Sequence, residues 1–201
     1  MITTSLPEST TILIVGAGPT GLATALSLFH HGCRDFVIVD SVAEGNNTSR
    51  ALVIHAATLE ALDSIGSGSG LAERGIKGES ISIRSRTAEL ARPSFTSLKK
   101  HTLHSYALFL PQNITEQVLG EKLASLGVHV FRPKRVVGLK QSNRDDLATE
   151  VSFDDGSTVT AKYVIGADGA RSVVSTSPIS CVNILVLLLV YAGANHSRDR
   201  F

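Results

Sequence analysis

The stretch Thr11-Ile12-Leu13-Ile14-Val15-Gly16-Ala17-Gly18-Pro19-Thr20-Gly21 decides how this chain is read. Thr11 to Val15 is apolar and rich in β-branched residues, and it stops at a glycine. That pattern predicts a strand buried on both faces. From Thr20 to His31, the residues Leu22, Ala25, Leu26 and Phe29 fall at helical spacing, and Gly32 is placed to end the helix. Phe36 to Val39 predicts a second buried strand, closed by Asp40. Strand, helix and strand within about 30 residues is the size of one βαβ unit.

The glycines then have separate physical tasks. Gly16 permits the tight turn, Gly18 lets a pyrophosphate approach the backbone, and Gly21 lets the helix pack closely on the strand. Ala17, Pro19 and Thr20 complete the G-x-G-x-x-G turn, whose free N–H groups and helix dipole favour an anion. Asp40 follows Gly21 by 19 residues at the end of the second strand. A carboxylate there accepts ribose hydroxyls and repels a 2′-phosphate, which favours FAD or NAD over NADP.

Downstream the pattern is mixed. Ala51 to Ile54 reads as a short strand, Ala56 to Ile65 as a helix, and Gly66 to Gly70 as a flexible loop. Ser80 to Arg84 alternates as a half-buried strand, and Ser105 to Leu110 is another strand. A helix follows, with Asn113 as expected cap and Glu116 at capping-box spacing; Ile114, Val118, Leu119, Leu123 and Leu126 form its apolar face, and Gly127 ends it. Val128 to Phe131, Arg135 to Leu139, Glu150 to Phe153 and Thr158 to Thr160 read as short strands, with a turn at Asp154-Asp155-Gly156, and the run closes as a β-meander. Tyr163 to Ile165 is a further strand leading into Gly166-Ala167-Asp168-Gly169. His55 reads as local packing or capping, and the other histidines show no ligand spacing.

The combination of VGAGPTGL, VIVD ending at Asp40, SRALVIHAATLEAL from Ser49 and VIGADGARS from Val164 resembles the class A flavoprotein monooxygenases. These are the aromatic-ring hydroxylases related to para-hydroxybenzoate and phenol hydroxylases. The resemblance runs from about Thr11 to Ser172. It implies an α/β, Rossmann-like FAD-binding fold with a β-meander and part of a second, substrate-side sheet. It implies FAD as cofactor, NAD(P)H as a transient electron donor, and hydroxylation of a small aromatic-type substrate. By the same resemblance Arg50 reaches toward the FAD pyrophosphate, a role that suits a guanidinium. Gln112 contacts the flavin, and Asp168 with Gly169 forms a second fingerprint in which the Asp touches FAD.

Where the family pattern continues, this chain departs from it. After Ser172 it reads Val173-Val174-Ser175-Thr176, then the apolar run Ile184 to Ala194. Residues 1–175 are therefore expected to be an incomplete FAD-binding domain with a partial substrate-side insertion at about 80–110. Residues 176–201 are expected to be a divergent apolar tail, from a truncated gene model or splice product. The run spans 11 residues, short of the roughly 18 needed to cross a membrane, so no membrane span is expected. With Lys plus Arg at 19 against Asp plus Glu at 18, no basic excess points to nucleic acid. Two distant cysteines, Cys33 and Cys181, suit a reducing compartment, and Met1 to Thr11 has no secretory pattern; a cytoplasmic protein is expected. Three alternatives stay open: a different flavin enzyme such as a reductase, a non-catalytic nucleotide- or partner-binding remnant, and a plain NAD-binding dehydrogenase. The last fits poorly with the meander, because a simple Rossmann domain continues with alternating strands and helices.

Overall fold

Nearly continuous apolar strands can be satisfied only in the middle of a sheet, and that is where the computed structural model places them. It describes residues 5–43, 53–141, 148–169, 174 and, as backbone only, 184–186. In chain order the elements are β1 (Ser9–Val15), α1 (Pro19–His30), β2 (Phe36–Val39), β3 (Val53–Ile54), α2 (Ala56–Ser64), α3 (Gly68–Arg74) and β4 (Ile76–Gly78). They continue with β5 (Ile83–Arg84), β6 (Glu89–Ala91), a 3-10 turn (Phe95–Lys100), β7 (Ala107–Phe109) and α4 (Gln112–Ser125). The last are β8 (Val130–Phe131), β9 (Val136–Gln141), β10 (Thr149–Phe153), β11 (Thr158–Gly166) and β12 (Ile184–Val186). The chain divides into two compact units, residues 1–47 with 115–188 and residues 48–114 with 189–201.

The first unit is built on a seven-stranded sheet ordered β8-β2-β1-β11-β10-β9, with β12 also on β11. β8, β2, β1 and β11 run parallel, while β11, β10 and β9 form an antiparallel meander. Leu13, Val15, Val37, Val39, Val151, Val159 and Val164 share one buried cluster, closed over by Phe153. Ile14 and Ile38, both 0% exposed, fall on the opposite face by the period-two alternation of strands. α1 packs on β1 and β2, burying Leu22, Ala25 and Leu26. It ends in a Schellman motif: the N–H groups of Gly32 and Cys33 donate to the carbonyls of Phe29 and Leu28, with Gly32 at φ +86°. α4 ends the same way at Gly127.

Two strands expected as separate, Thr158 to Thr160 and Tyr163 to Ile165, are one continuous β11. The intervening Ala161 is 0% exposed and Lys162 is solvated, so the alternation simply carries on through them. Of the apolar run from Ile184, residues 184–186 pair in parallel with Val164 to Gly166; 187–194 lie outside the described residues. No helix among the described residues is long and apolar enough to cross a membrane.

The second unit holds a three-stranded sheet ordered β3-β7-β4 and the two-stranded β5-β6. Here the sequence misleads twice. Gly66 to Gly70 is a loop only at Gly66 and Ser67: Gly68 opens α3, and Leu71 at 0% exposure anchors it. Gly68 packs closely on Asp63: a Cβ there would lie 1.8 Å from its Oδ1, so the carboxylate would have to move aside. Ser80 to Arg84 does not form one half-buried strand: Ser80 makes an isolated bridge to Ser94, Ile83 and Arg84 pair with β6, and Ile83 is 50% exposed. His55 precedes α2 without a side-chain cap bond. Its ring instead packs 6.4 Å from that of Phe95. Gln112 opens α4 two residues earlier than an Asn113 cap would place it, so Asn113 sits inside the first turn.

Candidate functional site

Strand register assembles the site. Val15 pairs with Val39 on one side and Gly166 on the other, and Val39 pairs with Phe131. The residues just beyond those pairs, Gly16, Asp40, Ala167 and Arg132, must therefore emerge together at the carboxyl edge of four parallel strands. This is the place where open α/β sheets hold ligands. Backbone bonds fix the junctions. Gly16 N–H donates to the Val39 carbonyl at 2.8 Å, Ala167 N–H to that of Val15 at 2.7 Å, and Asp40 N–H to that of Phe131 at 3.0 Å.

The three motif glycines differ in what surrounds them. Gly16 has φ +105°, and a Cβ there would lie 2.4 Å from the Ala167 carbonyl oxygen. A Cβ on Gly21 would lie 1.8 Å from the Gly16 oxygen. Both are required by the fold itself. Gly18 is different: its φ is −71° and ψ −176°, open to any residue. A Cβ there would meet only Glu116 Oε1, at 3.9 Å. The protein leaves room at Gly18 that its own packing does not use. Gly18 is also the N-cap of α1, with no side-chain cap bond, Pro19 in the first turn and no acidic residue there. The first turn of α1 thus carries no acidic side chain of its own to offset the helix dipole.

Asp40 faces the same turn. Its Oδ2 accepts from Ala17 N–H at 2.6 Å and its Oδ1 from Val42 N–H at 2.8 Å. A carboxylate has further acceptor capacity beyond two bonds. Asp168 follows Ala167, and its Oδ2 lies 3.5 Å from the Val174 N–H; Gly169 follows at φ +78°. The structure therefore gathers Gly16, Ala17, Gly18, Pro19, Thr20, Gly21, Asp40 and Asp168 at one edge. Arg50 lies outside the described residues. Gln112 is half-buried at the start of α4, in the second unit.

Sequence reasoning missed Arg132. Its Nη2 donates to the Ala17 carbonyl at 3.2 Å and stands 3.9 Å from Asp40 Oδ2. The available signal was its position, one residue past a strand that neighbours β2. In the second unit, reasoning also missed a chain in which Asp63 hydrogen-bonds His104 Nε2 and His104 Nδ1 meets the Tyr106 hydroxyl at 2.9 Å. Burial, aided by the Asp63 charge, pushes the Tyr106 phenol up. No cluster of metal-ligating side chains occurs among the described residues.

A parallel sheet with a glycine turn, an uncapped helix start and a strand-end carboxylate defines a dinucleotide-binding α/β protein. The space kept at Gly18 fits the diphosphate of such a ligand. Residues 9–182 match the family described as FAD binding domain, and the chain belongs to that family. It is 37% identical over 164 residues to rifampicin monooxygenase of Streptomyces venezuelae, covering 81% of this chain and 32% of that protein. It is 31% identical over 168 residues to pentachlorophenol 4-monooxygenase of Sphingobium chlorophenolicum, covering 80% and 30%. Among solved structures, p-nitrophenol 4-monooxygenase PnpA of Pseudomonas putida DLL-E4 superposes with TM-score 0.77 at 30% identity, over 85% of this chain and 44% of that one. The chain thus spans about a third of the length of the curated relatives it matches.

Proposed function

We propose that this chain holds the ADP half of FAD and is the cofactor-binding portion of an NAD(P)H-dependent monooxygenase acting on a small aromatic-type substrate. The observation that carries the reading is the unused space at Gly18 beside the Asp40 carboxylate, which a side chain on Gly18 would fill. In this reading the amides of the Gly16–Gly21 turn and the start of α1 take the diphosphate. Asp40 accepts the adenosine ribose hydroxyls and disfavours a 2′-phosphate. Asp168 and Gly169 approach FAD from the end of β11. Arg50 and Gln112 take the roles that the family resemblance implies for them, at the pyrophosphate and the flavin. When bound, the flavin supplies the redox chemistry; the protein contributes binding, orientation and exclusion of water.

The substrate class rests on the relatives, whose names specify rifampicin and pentachlorophenol. The chain corresponds to about a third of those proteins, so we expect it alone to bind the cofactor weakly and to hydroxylate little. A cytoplasmic setting belongs to the same reading.

Purified chain titrated with FAD, followed by visible absorbance and flavin fluorescence, tests this directly. Gly18→Val and Asp40→Ala should each abolish or sharply weaken binding. Binding that neither change disturbs would overturn the assignment of the site. Rapid substrate-dependent NAD(P)H oxidation by this chain alone would overturn the expectation of little turnover.

A further inference from the structure

Arg132 is held on both sides of its own position yet its head group is poorly matched to what surrounds it. The backbone around it is tied to Asp40 twice: Asp40 N–H donates to the Phe131 carbonyl at 3.0 Å, and Lys134 N–H donates to the Asp40 carbonyl at 2.6 Å. The main chain that carries Arg132 is thereby held next to Asp40. Of the donors in its fork, one is spent, on the Ala17 carbonyl at 3.2 Å. The Asp40 carboxylate stands at 3.9 Å, too far for a bidentate pair. The Nε–H is buried and has no acceptor among the described residues. A buried donor without a partner is costly and needs an explanation. The side chain as a whole is still 23% exposed, so it can move and be reached.

We infer that Arg132 is a further ligand-binding residue, whose guanidinium turns onto an acceptor of the adenosine half of the dinucleotide. This rests on the ADP reading of the site given above. The geometry explains each oddity. The two long contacts are a resting arrangement that is easily given up. The unmet donor is capacity kept for a ligand oxygen or ring nitrogen. The doubly tied loop holds the residue in place beforehand, which lowers the ordering cost of binding. Beside Asp40, the positive charge also relieves the repulsion between that carboxylate and the adjoining diphosphate.

The test is calorimetric titration of the full chain with ADP, using Arg132→Met, Arg132→Lys, Asp40→Asn and the double variant Arg132→Met/Asp40→Asn. Removing a charge-assisted donor should weaken ADP binding about tenfold or more. Arg132→Lys keeps a charge and a donor without the planar fork and should fall between. The unliganded Arg132→Met chain should melt within about 2 °C of the unaltered one; a larger fall together with undiminished ADP affinity of the folded fraction would make the residue structural and overturn the inference. Arg132→Met must weaken binding in the Asp40→Asn background too. If it does so only when Asp40 is intact, Arg132 acts through Asp40 and direct contact is refuted. Equal ADP affinity in the unaltered and Arg132→Met chains overturns this inference alone. Failure of the unaltered chain to bind ADP overturns the underlying reading and this inference with it.

Discussion

Replacing Gly18 and Gly21 by alanine, one at a time, separates a glycine kept for a ligand from a glycine kept for the fold. At Gly18 the backbone is ordinary, and the new methyl meets nothing closer than Glu116 Oε1 at 3.9 Å. The unliganded chain should therefore change by no more than about 1 kcal/mol, the preference of an N-cap for Gly over Ala. The same methyl stands between the turn amides and a diphosphate. Losing one hydrogen bond to a charged group costs about 1.5–3 kcal/mol, or roughly 10- to 150-fold in ADP affinity. At Gly21 the methyl lies 1.8 Å from the Gly16 oxygen, which belongs to a turn pinned to β2 through the Val39 carbonyl. Neither side can yield cheaply, so the upper end of overpacking costs applies, about 3 kcal/mol. For a chain of this size that is a fall of roughly 6–12 °C in Tm. Thermal unfolding of the unliganded chains and ADP titration of the folded ones read the two effects separately. Equal melting of both variants, or undiminished ADP affinity in Gly18→Ala, would refute the distinction.

Other consequences are as direct. Asp35 accepts from the Thr11 hydroxyl and N–H and from the Thr10 hydroxyl. These bonds, the Thr11 hydroxyl foremost, hold its carboxyl below the ordinary carboxylate value. The folded value lies under the unfolded one, so this stabilisation is complete above the usual carboxylate range and vanishes as pH falls through the lowered value. Denaturant unfolding of the unaltered chain and Asp35→Asn should differ near about pH 6, and the difference should shrink steadily as the pH falls below the ordinary carboxylate range; a gap that stays constant with pH would contradict it. Gly32→Ala, at φ +86° with no neighbour within 4 Å, should cost the left-handed penalty alone, roughly 1–2 kcal/mol by denaturant unfolding. Gly120→Ala, inside α4 with equal room, should stabilise by about 0.5–1 kcal/mol in the same assay. His104→Ala removes the link between Asp63 and Tyr106 and should lower stability by about 1 kcal/mol. It should also shift the Tyr106 titration seen by ultraviolet absorbance.

The βαβ unit was legible because each of its signals is local. Five residues of apolar run, three glycines and one carboxylate suffice to place β1, α1, β2 and the edge on which they meet. What escaped depends on partners distant in sequence. Gly66 to Gly70 has the composition of a loop, and α3 exists because Leu71 finds a core and Gly68 slots against Asp63. Ile81 and Ile83 have strand alternation, but at Ile83 no surface arrives to cover it. Asp63 and His104 are 41 residues apart, with no spacing rule to join them. Arg132 carries no motif; only the pairing of Val39 with Phe131 shows that it belongs beside Asp40.

β11 serves three neighbours over nine residues, with β12 paired to its last three. Its length is matched in parallel to β1, its first half in antiparallel to β10, and its end delivers Ala167 against Gly16. A one-residue insertion or deletion there would turn alternate side chains to the wrong face for its neighbours and pull the Asp168 segment out of step with the nucleotide edge. The strand works as a ruler, and length variation among related sequences should be found between the strands and not within it.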